Sequence, residues 1–282
     1  MKKFLAFLLS LLMAGSMLSP GLPAFAQTTT ETSTETQEED TGSEIQAAGE
    51  QDAESEGSSS SSDYAEGSEK LDISQGTVPF IDESDPLMEN LAVYMVELTT
   101  DTLIHSRNAN ERRYPASLTK IMTAILTLEN IPDLDREITF TAELQNYVYE
   151  INLSYGGGIS TGGIVLNETL TVEQLLYAIM LPSANEAAVM LAYEIGDGSL
   201  ERFAEMMNEK AAELGCQGTH FVNSNGLFEE DHYTTAYDMY LITKYALQFD
   251  LFREIVSTPS YDTGPTNQQE NLHWDNTNQM IV

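Results

Sequence analysis

Between Gln27 and about Thr77 the chain is Glu, Ser, Thr, Gly and Gln, with very few large apolar side chains. No packed fold can be made from such a stretch. Fixing one residue's backbone costs roughly 1–2 kcal/mol, and buried apolar area is the main term that offsets it. The run from Ser58 to Ser62 is typical of the segment. Residues 27–78 therefore read as a disordered acidic linker, and the fold has to be built from residues 79–282, one domain's worth of chain.

Residues 1–26 read as an export signal. Lys2 and Lys3 give a positive start, an apolar run follows from Phe4 to Leu18, and Ala24-Phe25-Ala26 offers small-x-small cleavage after Ala26. The apolar run is short of the roughly 20 residues that span a bilayer. The expected location is outside the cell, at the extracellular face of the cytoplasmic membrane or in the cell wall. Cys216 is the only cysteine, so no internal disulfide can form, and it reads as a small buried thiol.

The formal net charge is −33. Residues 27–85 carry 17 acidic side chains and one lysine, and the part after residue 85 still carries 28 acidic against 9 basic. The folded part is itself acidic. Such a surface repels phosphate backbones, which argues against nucleic-acid binding. It also repels an anionic substrate at long range, so any anion site needs local positive groups.

Leu91–Leu98 and Leu103–Ser106 read as strands around a turn at Thr99–Thr102. A helix is expected from Ala116 to Glu129, with Pro115 at its first turn. A mixed segment with glycines at 156–158 and 162–163 follows. Further helices are expected from Thr171, with Gln174 at capping-box spacing, to Leu181-Pro182; from Asn185 to Ile195; from Ser199 to Leu214; and from Thr235 to Leu247.

Ser117 and Lys120 are three apart on one helix face. A hydroxyl is a poor nucleophile until a base takes its proton, and a neutral lysine is such a base. An ordinary lysine pKa near 10.4 would have to fall by roughly 3 units, about 4–5 kcal/mol, and burial together with a helix N-terminus pushes it that way. Ser117 in a first turn also offers a backbone N–H to an oxyanion. Ser183-Ala184-Asn185 breaks the chain between two apolar helices. Ser183 there is a candidate proton relay to a leaving amine, and Asn185 a candidate partner of substrate backbone or of Lys120. Each pattern alone also fits an ordinary helix start or cap.

Together, S-x-x-K at a helix start and S-x-N on an interhelical loop resemble the signature of penicillin-binding proteins and serine β-lactamases. The surrounding words are more specific. Tyr114-Pro115-Ala116-Ser117-Leu118-Thr119-Lys120-Ile121-Met122-Thr123 resembles the acylation segment of D-alanyl-D-alanine carboxypeptidases. Leu175–Ala178 with Leu181–Ala188 looks like their second motif. Thr219–Asn223 with Gly226-Leu227, His232–Asp238 and Ile255–Thr258 are similar too, so the likeness covers about Leu91 to Val282. The resemblance implies an α/β (α+β) fold of the β-lactamase/transpeptidase type, an antiparallel sheet flanked by helices plus a helical lobe, with the site between them. It implies that Ser117 is acylated, that Lys120 is its base, and that Ser183 and Asn185 complete the proton and substrate network. The implied partners are a peptidoglycan stem peptide ending in D-Ala-D-Ala, β-lactams as covalent inhibitors, and a membrane surface or the wall. No cofactor or metal is implied.

The family's third motif, K-T-G or K-S-G, does not occur in the sequence. The resemblance places it soon after a segment like His273–Asn276, so the chain reads as stopping before that motif and before the rest of the sheet. The 282-residue chain is then expected to be nearly inactive and poorly stable. Two alternatives stand beside the carboxypeptidase: a non-catalytic wall-binding relative without the third motif, and a serine β-lactamase. Glu143–Asn146 only loosely matches the corresponding β-lactamase stretch and precedes the second motif. Gly158-Ile159-Ser160-Thr161-Gly162 matches G-x-S-x-G in form, but without a strand before and a helix after it reads as a flexible loop. His105, His220, His232 and His273 lack metal-site spacing, and His220 and His232 read as structural hydrogen-bonding groups.

Overall fold

A helix that is apolar on nearly every side has to be surrounded, and α1 (Thr119–Asn130) is buried from Thr119 through Thr127. It forms the centre of the computed structural model, which describes residues 90–281. The expected export signal, the acidic linker and the first residues of the 79–282 domain lie outside the described residues. Ile121, Met122, Ile125 and Leu126 join α1 to the main core. Its polar residues Thr119, Lys120, Thr123 and Thr127 recur at helical spacing, so they form one stripe. That stripe sets where the site is built.

The chain reaches α1 through the antiparallel hairpin of β1 (Val93–Glu97) and β2 (Thr102–Arg107), with Met95 opposite His105. The Glu97 carboxylate closes the turn by accepting from the Thr99 and Thr100 N–H groups at 3.0 and 2.7 Å. A single 3₁₀ turn, Ala116–Leu118, stands before α1. The expected uninterrupted helix from Ala116 is thus corrected. Ala116 has φ +48°, outside the right-handed α region, and regular α-helix begins only at Thr119.

α2 (Ala142–Ser154) occupies much of the segment read as mixed. Only Leu144 is buried along it, so its sequence lacks the apolar period that marks a packed helix. α2 lies in the connection between β3 (Glu137–Thr139) and β4 (Thr169–Thr171), which pair as an antiparallel ladder. Thr171 then opens α3 (Val172–Met180) with the expected capping box: its hydroxyl accepts from Gln174 N–H, and the Gln174 side chain accepts from Thr171 N–H. α4 (Asn185–Ile195) is buried over its first eight residues and packs on α1 and α3. α5 (Leu200–Glu213) and α6 (Ala236–Ala246) are capped by the Ser199 and Thr235 hydroxyls and enclose α1 from other sides. Tyr94 of β1 packs against Tyr237 and Tyr240 of α6, with ring centroids 5.1 Å away in both cases. α7 (Asp250–Val256) and the hairpin of β5 (Ser260–Asp262) and β6 (His273–Asp275) follow, and a 3₁₀ turn, Gln279–Ile281, ends the described chain. The architecture is mixed α and β. Among the described residues every ladder is antiparallel and two-stranded.

Candidate functional site

The polar stripe of α1 faces a loop running from Val222 to His232. Thr123 Oγ1 donates to the Ser224 carbonyl at 2.7 Å, and Lys120 Nζ donates to the Asn225 carbonyl at 2.7 Å. His232 Nδ1 accepts from Val222 N–H at 3.1 Å, which leaves Nε2–H to donate to Thr119 Oγ1 at 2.8 Å. Burial holds the His232 imidazole neutral, its pKa lowered to about 4. The reading of His232 as a structural hydrogen-bonding group fits this geometry. His220 bonds through Nδ1 to the Asp231 carbonyl at 2.7 Å.

The loop is also closed on itself. Asn223 accepts from Gly226 N–H at 2.7 Å and donates to the Leu227 carbonyl at 2.9 Å, and Leu227 N–H donates to Asn225 Oδ1 at 3.0 Å. Arg113 and Thr234 exchange two backbone hydrogen bonds of 2.8 Å, which tie the segment before Pro115 to the same region.

Ser117 sits in the 3₁₀ turn directly before α1, and its Oγ lies 3.4 Å from Lys120 Nζ. Lys120 is only 1% exposed. Nζ also donates to Asn185 Oδ1 at 3.0 Å. Burial drives the Lys120 pKa down to about 7, against a smaller upward pull from the carboxylate of Glu186. A shift of that size costs the charged form about 4–5 kcal/mol. Burial thus favours the uncharged amine.

Asn185 is the first residue of α4. Its Nδ2 donates to the Ser160 carbonyl at 2.8 Å, and its backbone N–H points to the same oxygen at 3.1 Å. A carbonyl only accepts, so this contact sets the amide with Oδ1 toward Lys120. Three of the four expected residues, Ser117, Lys120 and Asn185, are thus joined by contacts. Ser183 is not joined to them. It has φ +62°, and its Oγ is buried with no hydrogen-bond partner among the described residues.

Other participants escaped the sequence reading. Asn225 acts through a main-chain carbonyl, which leaves no mark on residue type. Of Gly158–Gly162, read as a flexible loop, the part from Ser160 is pinned, together with Gly163 and Ile164. Glu186 Oε1 accepts from Thr161 Oγ1 at 2.6 Å, from Gly162 N–H at 2.7 Å and from Ile164 N–H at 3.4 Å. Trp274 Nε1 donates to the Gly162 carbonyl at 2.8 Å. Glu186 was visible only as one letter of the second motif. Cys216 is partly buried, and burial pushes its thiol pKa up to about 12, away from the thiolate form that a nucleophile needs.

Comparison with known proteins gives a consistent result. Residues 82–282 match the family model described as D-alanyl-D-alanine carboxypeptidase. The chain is 34% identical over 194 residues to D-alanyl-D-alanine carboxypeptidase DacF of Bacillus subtilis (strain 168), covering 68% of this chain and 48% of that protein. It is 30% identical over 217 residues to a D-alanyl-D-alanine carboxypeptidase of Streptomyces sp. (strain K15), covering 73% and 72%. The chain thus spans about half the length of the first relative and nearly three quarters of the second. The crystal structure of the Streptomyces K15 DD-transpeptidase superimposes with a TM-score of 0.59 at 32% identity, over 66% of this chain and 72% of that one. With the family model matching well over half of its residues, the chain belongs to the D-alanyl-D-alanine carboxypeptidase family.

Proposed function

We propose that the protein is a serine-type D-Ala-D-Ala carboxypeptidase that removes the terminal D-alanine of peptidoglycan stem peptides through an acyl-Ser117 intermediate. The observation that carries this reading is the placement of Lys120. A neutral amine has two N–H groups and one lone pair. Asn185 Oδ1 and the Asn225 carbonyl take two donors, at 3.0 and 2.7 Å, which leaves the lone pair for Ser117 O–H at 3.4 Å.

In the first step Lys120 takes the Ser117 proton as Oγ attacks the carbonyl between the two D-alanines. The Ser117 N–H, in a first turn with no upstream helical carbonyl to bond, faces the developing oxyanion. Collapse breaks the C–N bond. The leaving amine takes a proton from Lys120, directly or through the Ser183 hydroxyl, and departs as D-alanine. Water then attacks the acyl-enzyme, and its proton returns through Lys120 as Ser117 is released. A β-lactam follows the first step alone: its ring C–N bond opens and the acyl group stays on Ser117.

The export signal in residues 1–26 supports an extracellular location at the membrane surface or wall, where such peptides occur. Intact-mass analysis after exposure of the full-length gene product to benzylpenicillin tests the reading. One adduct mapping to the Ser117 peptide, and none on Ser117→Ala, is expected. An adduct on the alanine variant would move the nucleophile elsewhere. Stem-peptide binding without adduct or D-alanine release would favour the non-catalytic wall-binding alternative.

A further inference from the structure

Asn185 can hold Lys120 only while its amide keeps one orientation, and that orientation depends on a carbonyl from another part of the chain. Ser160 O accepts from both Asn185 nitrogens, so the segment Ser160–Ile164 acts as a template for the amide. That segment has no strand or helix of its own to hold it. One buried oxygen, Glu186 Oε1, gathers three of its donors. Glu186 itself is 3% exposed and follows Asn185 in the first turn of α4. Asn185 and Glu186 thus grip consecutive parts of the same loop, one through its carbonyl and the other through its N–H and hydroxyl groups. On the far side, Gly162 lies so close to α4 and β6 that an added Cβ would stand 3.1 Å from Ala184 Cβ and 3.3 Å from Trp274 Nε1. The loop has little room to re-seat.

We propose that Glu186 is a positioning residue for acyl transfer: it locks Ser160–Ile164 so that the Ser160 carbonyl fixes Asn185, whose Oδ1 in turn holds Lys120 Nζ. This rests on the acyl-Ser117 reading above. A buried carboxylate is costly unless it is hydrogen-bonded, and a neutral side chain would serve as a plain loop staple. Among the described residues, Glu186 is the ionisable group whose charge acts on Lys120; the other groups facing Nζ, Ser117, Asn185 and the Asn225 carbonyl, are uncharged. Removing the carboxylate's charge takes away its upward pull, so Lys120 loses its proton more readily.

The test is the second-order rate of acylation by a fluorescent penicillin between pH 5 and 9, for the wild-type full-length gene product, Glu186→Gln and Thr161→Val. In Glu186→Gln the acid limb is expected to move to lower pH by on the order of half a unit to one unit. In Thr161→Val, which keeps the charge but removes a bond from the clamp, the limb should stay while the rate falls by roughly 3- to 10-fold. A limb that stays in place in Glu186→Gln overturns the electrostatic role, whatever the rate does. A Thr161→Val rate equal to wild type overturns the clamp. Should Glu186→Gln not fold, Glu186→Asp, which keeps the charge on a shorter arm, should slow acylation with an unmoved limb, and a moved limb would count against the proposal. Absence of Ser117 labelling in the wild type would instead sink the serine-peptidase reading itself.

Discussion

The carbonyl of Ala116 fills the space that any side chain at residue 226 would need. A Cβ on Gly226 would stand 1.8 Å from Ala116 O and 2.4 Å from its carbonyl carbon, and Gly226 is also held at φ +83°. Ala116 immediately precedes Ser117 and is itself at φ +48°. Gly226→Ala must therefore displace either the nucleophile's turn or the loop that carries Asn225. The expected cost is about 3 kcal/mol or more of stability, from strain and overpacking together. Urea unfolding with a parallel penicillin-labelling assay checks it. An alanine variant as stable and as reactive as wild type would refute the contact.

Lys120 couples the chemistry to pH. Only the neutral amine accepts the Ser117 proton, so acylation should climb with pH through about 7 and then level off. Stability should follow the same residue. Between about pH 7 and the ordinary lysine range near 10.5, the unfolded chain holds a proton that the folded chain has lost. Folding stability then rises with pH by about 1.4 kcal/mol per unit. Chemical denaturation at pH 7 and pH 9 should show a gain roughly 2–3 kcal/mol larger in wild type than in Lys120→Met. Equal gains would mean that Lys120 is charged when folded.

His232 sets the acid side. Its folded pKa is lowered from 6.5 to about 4, so the neutral ring's contribution is complete above about pH 6.5 and is lost as pH falls toward 4. Over that window the loss amounts to about 3 kcal/mol. Titration of the ring by NMR, together with melting curves from pH 7 to 4, measures both. An imidazole titrating near 6.5 in the folded protein would contradict the buried Thr119–His232–Val222 bridge.

Ser183 offers a case in which stability and activity part. Its buried hydroxyl has no hydrogen-bond partner among the described residues, and an unpaired buried polar group costs about 1–3 kcal/mol. Ser183→Ala should leave the melting temperature unchanged or raise it. D-Alanine release should fall by about 100-fold or more if the hydroxyl carries a proton to the leaving amine. A destabilised variant with normal turnover would make Ser183 a structural residue.

Much of this was legible beforehand, for reasons that can be named. The helices at 172–180, 185–195, 200–213 and 236–246 carry apolar stripes or polar caps, Thr171, Ser199 and Thr235 among them, and these are local signals. α2 escaped because it buries only Leu144. Ser117, Lys120 and Asn185 were found as side chains at characteristic spacings. What completes their arrangement is main chain: the carbonyls of Asn225 and Ser160 and the left-handed turn at Ala116. A carbonyl is the same for every residue type, so only the folded chain reveals which ones matter. The stretch Gly158–Gly162 misled for the same reason. Its glycines suggest freedom, while its restraint comes from Glu186 and Trp274, residues distant in sequence.

Trp274 is the only tryptophan in the chain. Its indole N–H ends on Gly162, and its ring lies 6.0 Å from and nearly parallel to Tyr261, which in turn stacks on Tyr177 at 3.8 Å. The molecule therefore carries one intrinsic fluorophore attached to the loop that orients Asn185, with two phenol rings beside it to feed it excitation energy. Its emission is therefore a label-free optical reporter of the loop that orients Asn185.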